Sequence, residues 1–164
     1  MSNAFLYRMP SGIPGDISRP AHSTIEPVLL DPANPFGAYG QFGKIVAGKF
    51  VPIGSGDAAA DVYGPYVRPY PTSGGAASAP LGTSTPPQGN GVGNVLRRGY
   101  MTVLLRAGAA ALNGQVYVRV AAAAAGKPIG GIEAAADSAN TIAVNARFMS
   151  AADATGNVEI AYNI

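Results

Sequence analysis

Apolar and polar residues alternate most regularly in the last third of the chain. Across residues 141–148, Ile142, Val144, Ala146 and Phe148 fall on one face and Thr141, Ala143, Asn145 and Arg147 on the other, the period of two expected of a half-buried strand. Val116, Val118 and Val120 repeat the pattern over residues 115–120, and Val158, Ile160 and Tyr162 repeat it over 157–162. Residues 100–106 and 129–133 add two further strand-like runs. Turn-forming sequences separate the runs: Asn113-Gly114, Gly126-Lys127-Pro128, residues 137–140 and residues 153–156. Closely spaced strands of this kind, over about 65 residues, predict an antiparallel meander that closes into a small β-barrel or sandwich.

The alanine runs at 121–125 and 134–136 interrupt this pattern, because Ala favours helix and is depleted in strands. They predict either a helical turn or strand whose short side chains admit a close neighbour. Upstream, Lys44-Ile45-Val46 and Lys49-Phe50-Val51-Pro52-Ile53 flank Ala47-Gly48 and predict a β-hairpin. Residues 57–61 predict one helical turn with Asp57 as its N-cap.

Proline sets the texture elsewhere. Residues 1–35 carry Pro10, Pro14, Pro20, Pro27, Pro32 and Pro35, each of which removes a backbone donor and holds its predecessor extended. They predict an extended arm that lies along something else. Residues 69–94 are rich in Pro and Gly and poor in large apolar side chains, and predict a long loop, mobile when free, that a neighbour can order. The expected organisation is all-β: an N-terminal arm (1–35), a β-hairpin region (36–68), a Pro/Gly-rich loop (69–94) and a barrel-like meander (95–164), together one domain.

Composition adds that much of the surface is covered when the protein works. Charged residues make up 12% of the chain, about half the usual share. The excess of 11 Lys and Arg over 9 Asp and Glu contains only one adjacent basic pair, Arg97-Arg98, whereas nucleic-acid binding requires a concentrated patch. The absence of Cys excludes disulfides, thiolate zinc sites and cysteine nucleophiles. The N-terminus has no secretory apolar region, and no stretch is long enough to span a membrane. Neither a nucleic-acid nor a membrane partner is expected.

Candidate chemistry is sparse. His22, the single histidine, precedes Ser23, but nothing in the sequence supplies the third group that a nucleophile and its base require. The acidic residues are dispersed, and turns, caps and strand surfaces account for most of them. Asp57 and Asp61 lack the spacing of a calcium loop. Gly89-x-Gly91-x-Gly93 leads into a strand where a dinucleotide fold needs a helix. No catalytic, cofactor-binding or metal-binding residue is expected. Arg68-Pro69-Tyr70-Pro71 and Arg97-Arg98-Gly99-Tyr100-Met101 set arginines beside tyrosines, residue types enriched at interface anchors; an ordinary strand edge with Arg stems lying along it gives the same pattern.

Several segments, in order along nearly the whole chain, resemble the structural cement (head decoration) proteins of tailed bacteriophages. They are Ile13-Pro14-Gly15-Asp16-Ile17-Ser18-Arg19, Gly54-Ser55-Gly56-Asp57-Ala58, Tyr63-Gly64, Val67-Arg68-Pro69-Tyr70-Pro71, residues 97–101, Gly130-Gly131-Ile132-Glu133-Ala134-Ala135-Ala136-Asp137 and residues 154–163. The resemblance implies a non-enzymatic protein, without cofactors, on the outer surface of the virion capsid. There it would bridge subunits of the major capsid protein and lie next to copies of itself. Arg19, Arg68, Tyr70, Arg97, Arg98 and Tyr100 are the expected contact residues. The alternatives are another virion component, such as a tail or fibre part, or a glycan-binding β-domain; the latter fits poorly with the absence of Trp.

Overall fold

A computed structural model describes residues 12–69, 86 and 91–164. Nine strands form one mixed sheet: β1 (Thr24–Leu30), β2 (Phe42–Val46), β3 (Lys49–Pro52), β4 (Gly64–Val67), β5 (Val92–Ala107), β6 (Gln115–Arg119), β7 (Ile132–Glu133), β8 (Thr141–Phe148) and β9 (Asn157–Tyr162). Their order is β1-β3-β2-β4-β5-β7-β6-β8-β9, with further pairings of β1 and of β9 to β5. The sheet therefore closes on β5 twice. Strands β1 to β5 form one five-stranded ring, β5 to β9 form another, and the long β5 belongs to both. The all-β expectation holds.

The change from one ring to the other occurs at Gly99. Strand β1 pairs with β5 from Val92 to Arg98, and β9 pairs with it from Gly99 to Leu104. Gly99 has φ +137°, and a Cβ there would lie 2.3 Å from Ser23 Oγ and 2.7 Å from Ser23 Cα. Only glycine meets both the backbone angle and the close approach.

Two cores follow from the two rings. The first is largely aromatic: Phe36 and Phe50 stack at 4.7 Å, and Tyr66 lies 4.9 Å from Phe36 and 6.0 Å from Phe50, with Val28, Leu30, Tyr39 and Val95 around them. The second is mainly aliphatic, built on Met101, Val103, Val116, Val118, Val158 and Ile160 with Phe148. Strands β2, β4 and β5 form the wall between the cores, so consecutive residues on them are buried on opposite faces. Tyr66 enters the first core and Val67 the second; Val95 enters the first and Leu96 the second. Phe42, on the second-core face of β2, meets Tyr162 of β9 edge to face at 5.5 Å.

The five C-terminal runs are strands, but their spatial order is not that of a meander. Strand β7 lies between β5, to which it is parallel, and β6, to which it is antiparallel. Strands β1 and β3 are also parallel, so the sheet is mixed. A buried ion pair marks the position of β7: Arg119, at the end of β6, donates to both carboxylate oxygens of Glu133, and its Nη2 also donates to Asp137 at 2.6 Å. Strand β8 departs from simple alternation because its register with β6 shifts between Gln115 and Tyr117. Gln115 Nε2 fills the irregularity by donating to the carbonyls of Val144 at 2.6 Å and Val116 at 2.9 Å. Thr141 is thereby buried and Ile142 only half-buried.

The hairpin forms as expected, with Ala47 at φ +48° and Gly48 at φ +78° in its two-residue turn. The single turn near Asp57 also forms, as a 3₁₀ turn over Ala59–Asp61, but Asp57 does not cap it. Asp61 accepts the Ala58 N–H, while Asp57 accepts the Gly54 N–H and binds Lys44. A lysine on the adjacent strand outcompetes the local cap. The 121–125 run is neither helix nor strand: Ala122 has φ +50°, and Ala124 and Lys127 close a tight turn. Within the stretch expected to be an arm, residues 24–30 are extended and pair with this chain's own β3 and β5.

Candidate interaction surface

The contact residues expected from sequence divide by burial. Arg68 is 6% exposed: Nε donates to the Pro14 carbonyl at 2.9 Å, the guanidinium stacks 4.6 Å over the Tyr39 ring, and Asp16 lies 3.8 Å away. It holds the 13–16 segment against the barrels. Burial pushes the Asp16 carboxyl above its ordinary pKa, and the nearby Arg68 charge only partly offsets this. Arg97 is half-buried in a closed cluster. It stacks 3.6 Å over Tyr63, donates to the Tyr63 carbonyl and lies 3.4 Å from Glu26, which also accepts the Tyr63 hydroxyl at 2.6 Å. Tyr70 lies outside the described residues.

Arg19, Arg98 and Tyr100 come together on one outward face. Backbone hydrogen bonds lay residues 15–18 along β5: Gly15 N–H donates to the Thr102 carbonyl at 2.8 Å, Thr102 N–H to Asp16 at 2.9 Å and Ser18 N–H to Tyr100 at 3.2 Å. Arg19 therefore emerges beside Tyr100, and its guanidinium sits 4.1 Å over the ring. Glu159 of β9 holds it in a two-point ion pair at 3.0 and 2.6 Å, and also accepts the Ser18 hydroxyl at 2.6 Å. Arg98 is exposed, and with Tyr100, His22, Thr24 and Ile164 it lines a shallow depression.

The register adds a residue that sequence reasoning did not select. Tyr100 of β5 lies opposite Ala161 of β9, which lies opposite Arg147 of β8. The exposed Arg147 thus shares the face of Tyr100 and Arg98. The period of two had already placed Arg147 on the polar side of its strand, but not beside β5.

A second exposed feature lies on the first ring. One register row runs Val92, Leu29, Lys49, Val46 across β5, β1, β3 and β2. The inward neighbours Gly93, Val28, Leu30 and Phe50 are buried, so this row faces outward. Val92 is 68% exposed, Leu29 58% and Val46 48%, while the Lys49 ammonium reaches aside to Asp31 at 3.4 Å. No group of His, Cys, Asp or Glu suited to holding a metal ion occurs among the described residues.

The chain matches a chain from the structure described as the capsid of Myoviridae phage XM1, with TM-score 0.68 and 17% identity, covering 99% of this chain and 97% of that one. No curated protein matches it. The family model described as XM1 gp53 minor capsid protein matches residues 1–162. This chain therefore belongs to the XM1 gp53 minor capsid protein family, and it is a structural capsid component and not an enzyme.

Proposed function

We propose that the protein is a decoration, or cement, protein of the phage head. It binds the outer surface of the expanded shell and bridges subunits of the major capsid protein, next to further copies of itself. The observation that carries this reading is the outward row of Val92, Leu29 and Val46, aliphatic side chains on β5, β1 and β2 with Lys49 of β3 between the last two. Such a row is stabilised when a partner covers it, and assembly interfaces bury apolar surface of this type. Arg19, Arg98 and Tyr100 supply polar contacts on a second face, with Arg68 and Arg97 bracing the segments behind them.

The mechanism is linkage. A protein that binds the expanded shell more tightly than the unexpanded one stabilises the expanded state by the difference in affinity. Repetition over the symmetric shell multiplies a modest single contact. Co-sedimentation with shells lacking the protein, unexpanded and expanded, followed by heating, tests this. Saturable binding to expanded shells alone, with a raised disruption temperature, is the expected result. Binding to neither shell would overturn the decoration reading.

A further inference from the structure

The described residues contain all nine carboxylate side chains of the chain, and each is already engaged within it. Seven form ion pairs. The other two, Asp61 and Asp153, accept backbone N–H groups in turns. The positive charge is not matched in the same way. Arg98, Arg106, Lys127 and Arg147 form no ion pair among the described residues. Among the described charged side chains that form no ion pair, four are therefore basic and two acidic, and the two acids are tied to turn N–H groups.

Two of these cations share one face. Arg147 lies two strands from Tyr100, and Arg98 lies two residues along β5 from it. At strand spacings of about 4.8 Å and a rise of about 3.4 Å per residue, their α-carbons are roughly 12 Å apart. Between them lie the small Ala161 and the half-buried Tyr100 ring, already covered on one side by Arg19. Asn145 and Asn163, hydrogen-bonded to each other at 2.9 Å, lie on the neighbouring stretch of β8 and β9. The Arg19 guanidinium over the ring is neutralised by Glu159 of β9, which leaves an unpaired guanidinium at each side of the face.

We infer that this face of β5, β9 and β8 docks against an acidic patch, displaying Asp or Glu side chains, on the neighbouring capsid subunit. Guanidinium groups bind carboxylates through paired N–H donors, which fixes orientation as well as attraction. The chain's own acids do not compete, because each is bound to a donor of its own, Glu159 on this face to Arg19. Two unpaired arginines beside the neutralised Arg19–Glu159 pair do not form the continuous basic stripe that tracks a nucleic-acid backbone. The inference rests on the capsid reading proposed above and names the chemistry of the partner.

The test compares wild-type protein, R98E/R147E and the control R106E/K127E, which makes the same charge change at the other two unpaired cations. Binding to expanded shells is measured in salt from about 50 to about 500 mM, where screening separates exposed charge pairs from apolar contact. The expected result is wild-type binding that weakens with salt, a loss of about 10- to 100-fold in R98E/R147E, and a control within about threefold of wild type. Thermal melts verify that each variant is folded, and the milder R98A/R147A should give an intermediate loss. Undiminished binding by R98E/R147E overturns the inference while leaving the capsid reading intact. An equal loss in the control, or wild-type retention by double-stranded DNA in place of shells, also overturns it. Failure of the wild type to bind any shell removes the decoration reading and this inference together.

Discussion

Val95 and Leu96 are consecutive residues of β5, both fully buried, and they belong to different cores. A strand covered on both faces has no solvent side, so the pair breaks the alternation that residues 92–95 otherwise show. Truncating either side chain should destabilise the whole fold. Leu96→Ala is expected to cost about 2–5 kcal/mol and Val95→Ala about 1–3 kcal/mol. Urea unfolding followed separately by tyrosine fluorescence, weighted to the aromatic first core, and by far-UV circular dichroism should give one coincident transition for each variant. Two separated transitions would show that the rings unfold independently despite their shared strand.

Gly99 is the position where β5 changes partners. Gly99→Ala meets both a positive φ and the Ser23 backbone, and is expected to cost about 2–4 kcal/mol. Gly54→Ala is the matched control, since a Cβ there meets nothing within 4 Å, and its effect should stay within about 0.5 kcal/mol. Thermal melts of the two variants decide the comparison.

At the tip of the β2–β3 hairpin, Ala47 occupies a left-handed conformation that costs an L-residue about 1–2 kcal/mol. Asn tolerates that conformation, and the Asn-Gly pair is strongly preferred in such two-residue turns. Ala47→Asn should therefore raise stability by about 0.5–1 kcal/mol, measured as a higher urea midpoint with an unchanged slope.

Alkaline pH should loosen the aromatic core. Burial pushes the Tyr66 phenol up to about 12, and raises Tyr39 and Tyr162 as well. A raised pKa stabilises the folded state fully below the unfolded value of about 10, and this stabilisation is lost as pH rises through the folded value. Stability should fall between about pH 10 and pH 12, by roughly 2–3 kcal/mol from Tyr66 alone. Tyr66→Phe should remove that part of the pH dependence in unfolding titrations.

Acid should act on the other barrel. The hydrogen bond from Arg119, aided by Asn140 and outweighing partial desolvation, holds the Asp137 carboxyl below its ordinary pKa. A lowered carboxyl pKa contributes stability above the unfolded value of about 4, and this contribution is lost as pH falls through the folded value. Amide exchange in residues 121–140 should therefore quicken below about pH 4, and Asp137→Asn should reproduce the change at neutral pH. Arg119→Met should be more disruptive than Asp137→Asn, because it leaves Glu133 buried without its counter-charge.

The strands were readable from sequence because their signal is local. Val116 and Val118, and Val158 and Ile160, alternate within their own segments, and Ala47-Gly48 is a turn between two apolar runs. The double closure on β5 was not readable, because pairing depends on register between distant segments. Strand β7 has only two residues, and its place between β5 and β6 is marked by the Arg119–Glu133 pair, which no periodicity encodes. The surface was readable to the same extent. Arg98 and Tyr100 stand out in the sequence as an arginine near a tyrosine, Arg19 only through the 13–19 segment that resembles cement proteins, and the three share a face. Arg68 looks the same in sequence, yet its guanidinium is buried on Tyr39 and the Pro14 carbonyl. Arg147 became a neighbour of Tyr100 only through the intervening Ala161.

The shared strand also has a mechanical meaning. Sixteen residues of β5 span roughly 50 Å, with the β1 ladder along one half and the β9 ladder along the other. A stretch applied across the molecule along this strand, with one ring held and the other pulled, loads both ladders in shear, so their hydrogen bonds resist together and do not peel one by one. Tension entering one barrel passes to the other through continuous covalent backbone. The molecule is built as a tie rod with a barrel clamped at each end.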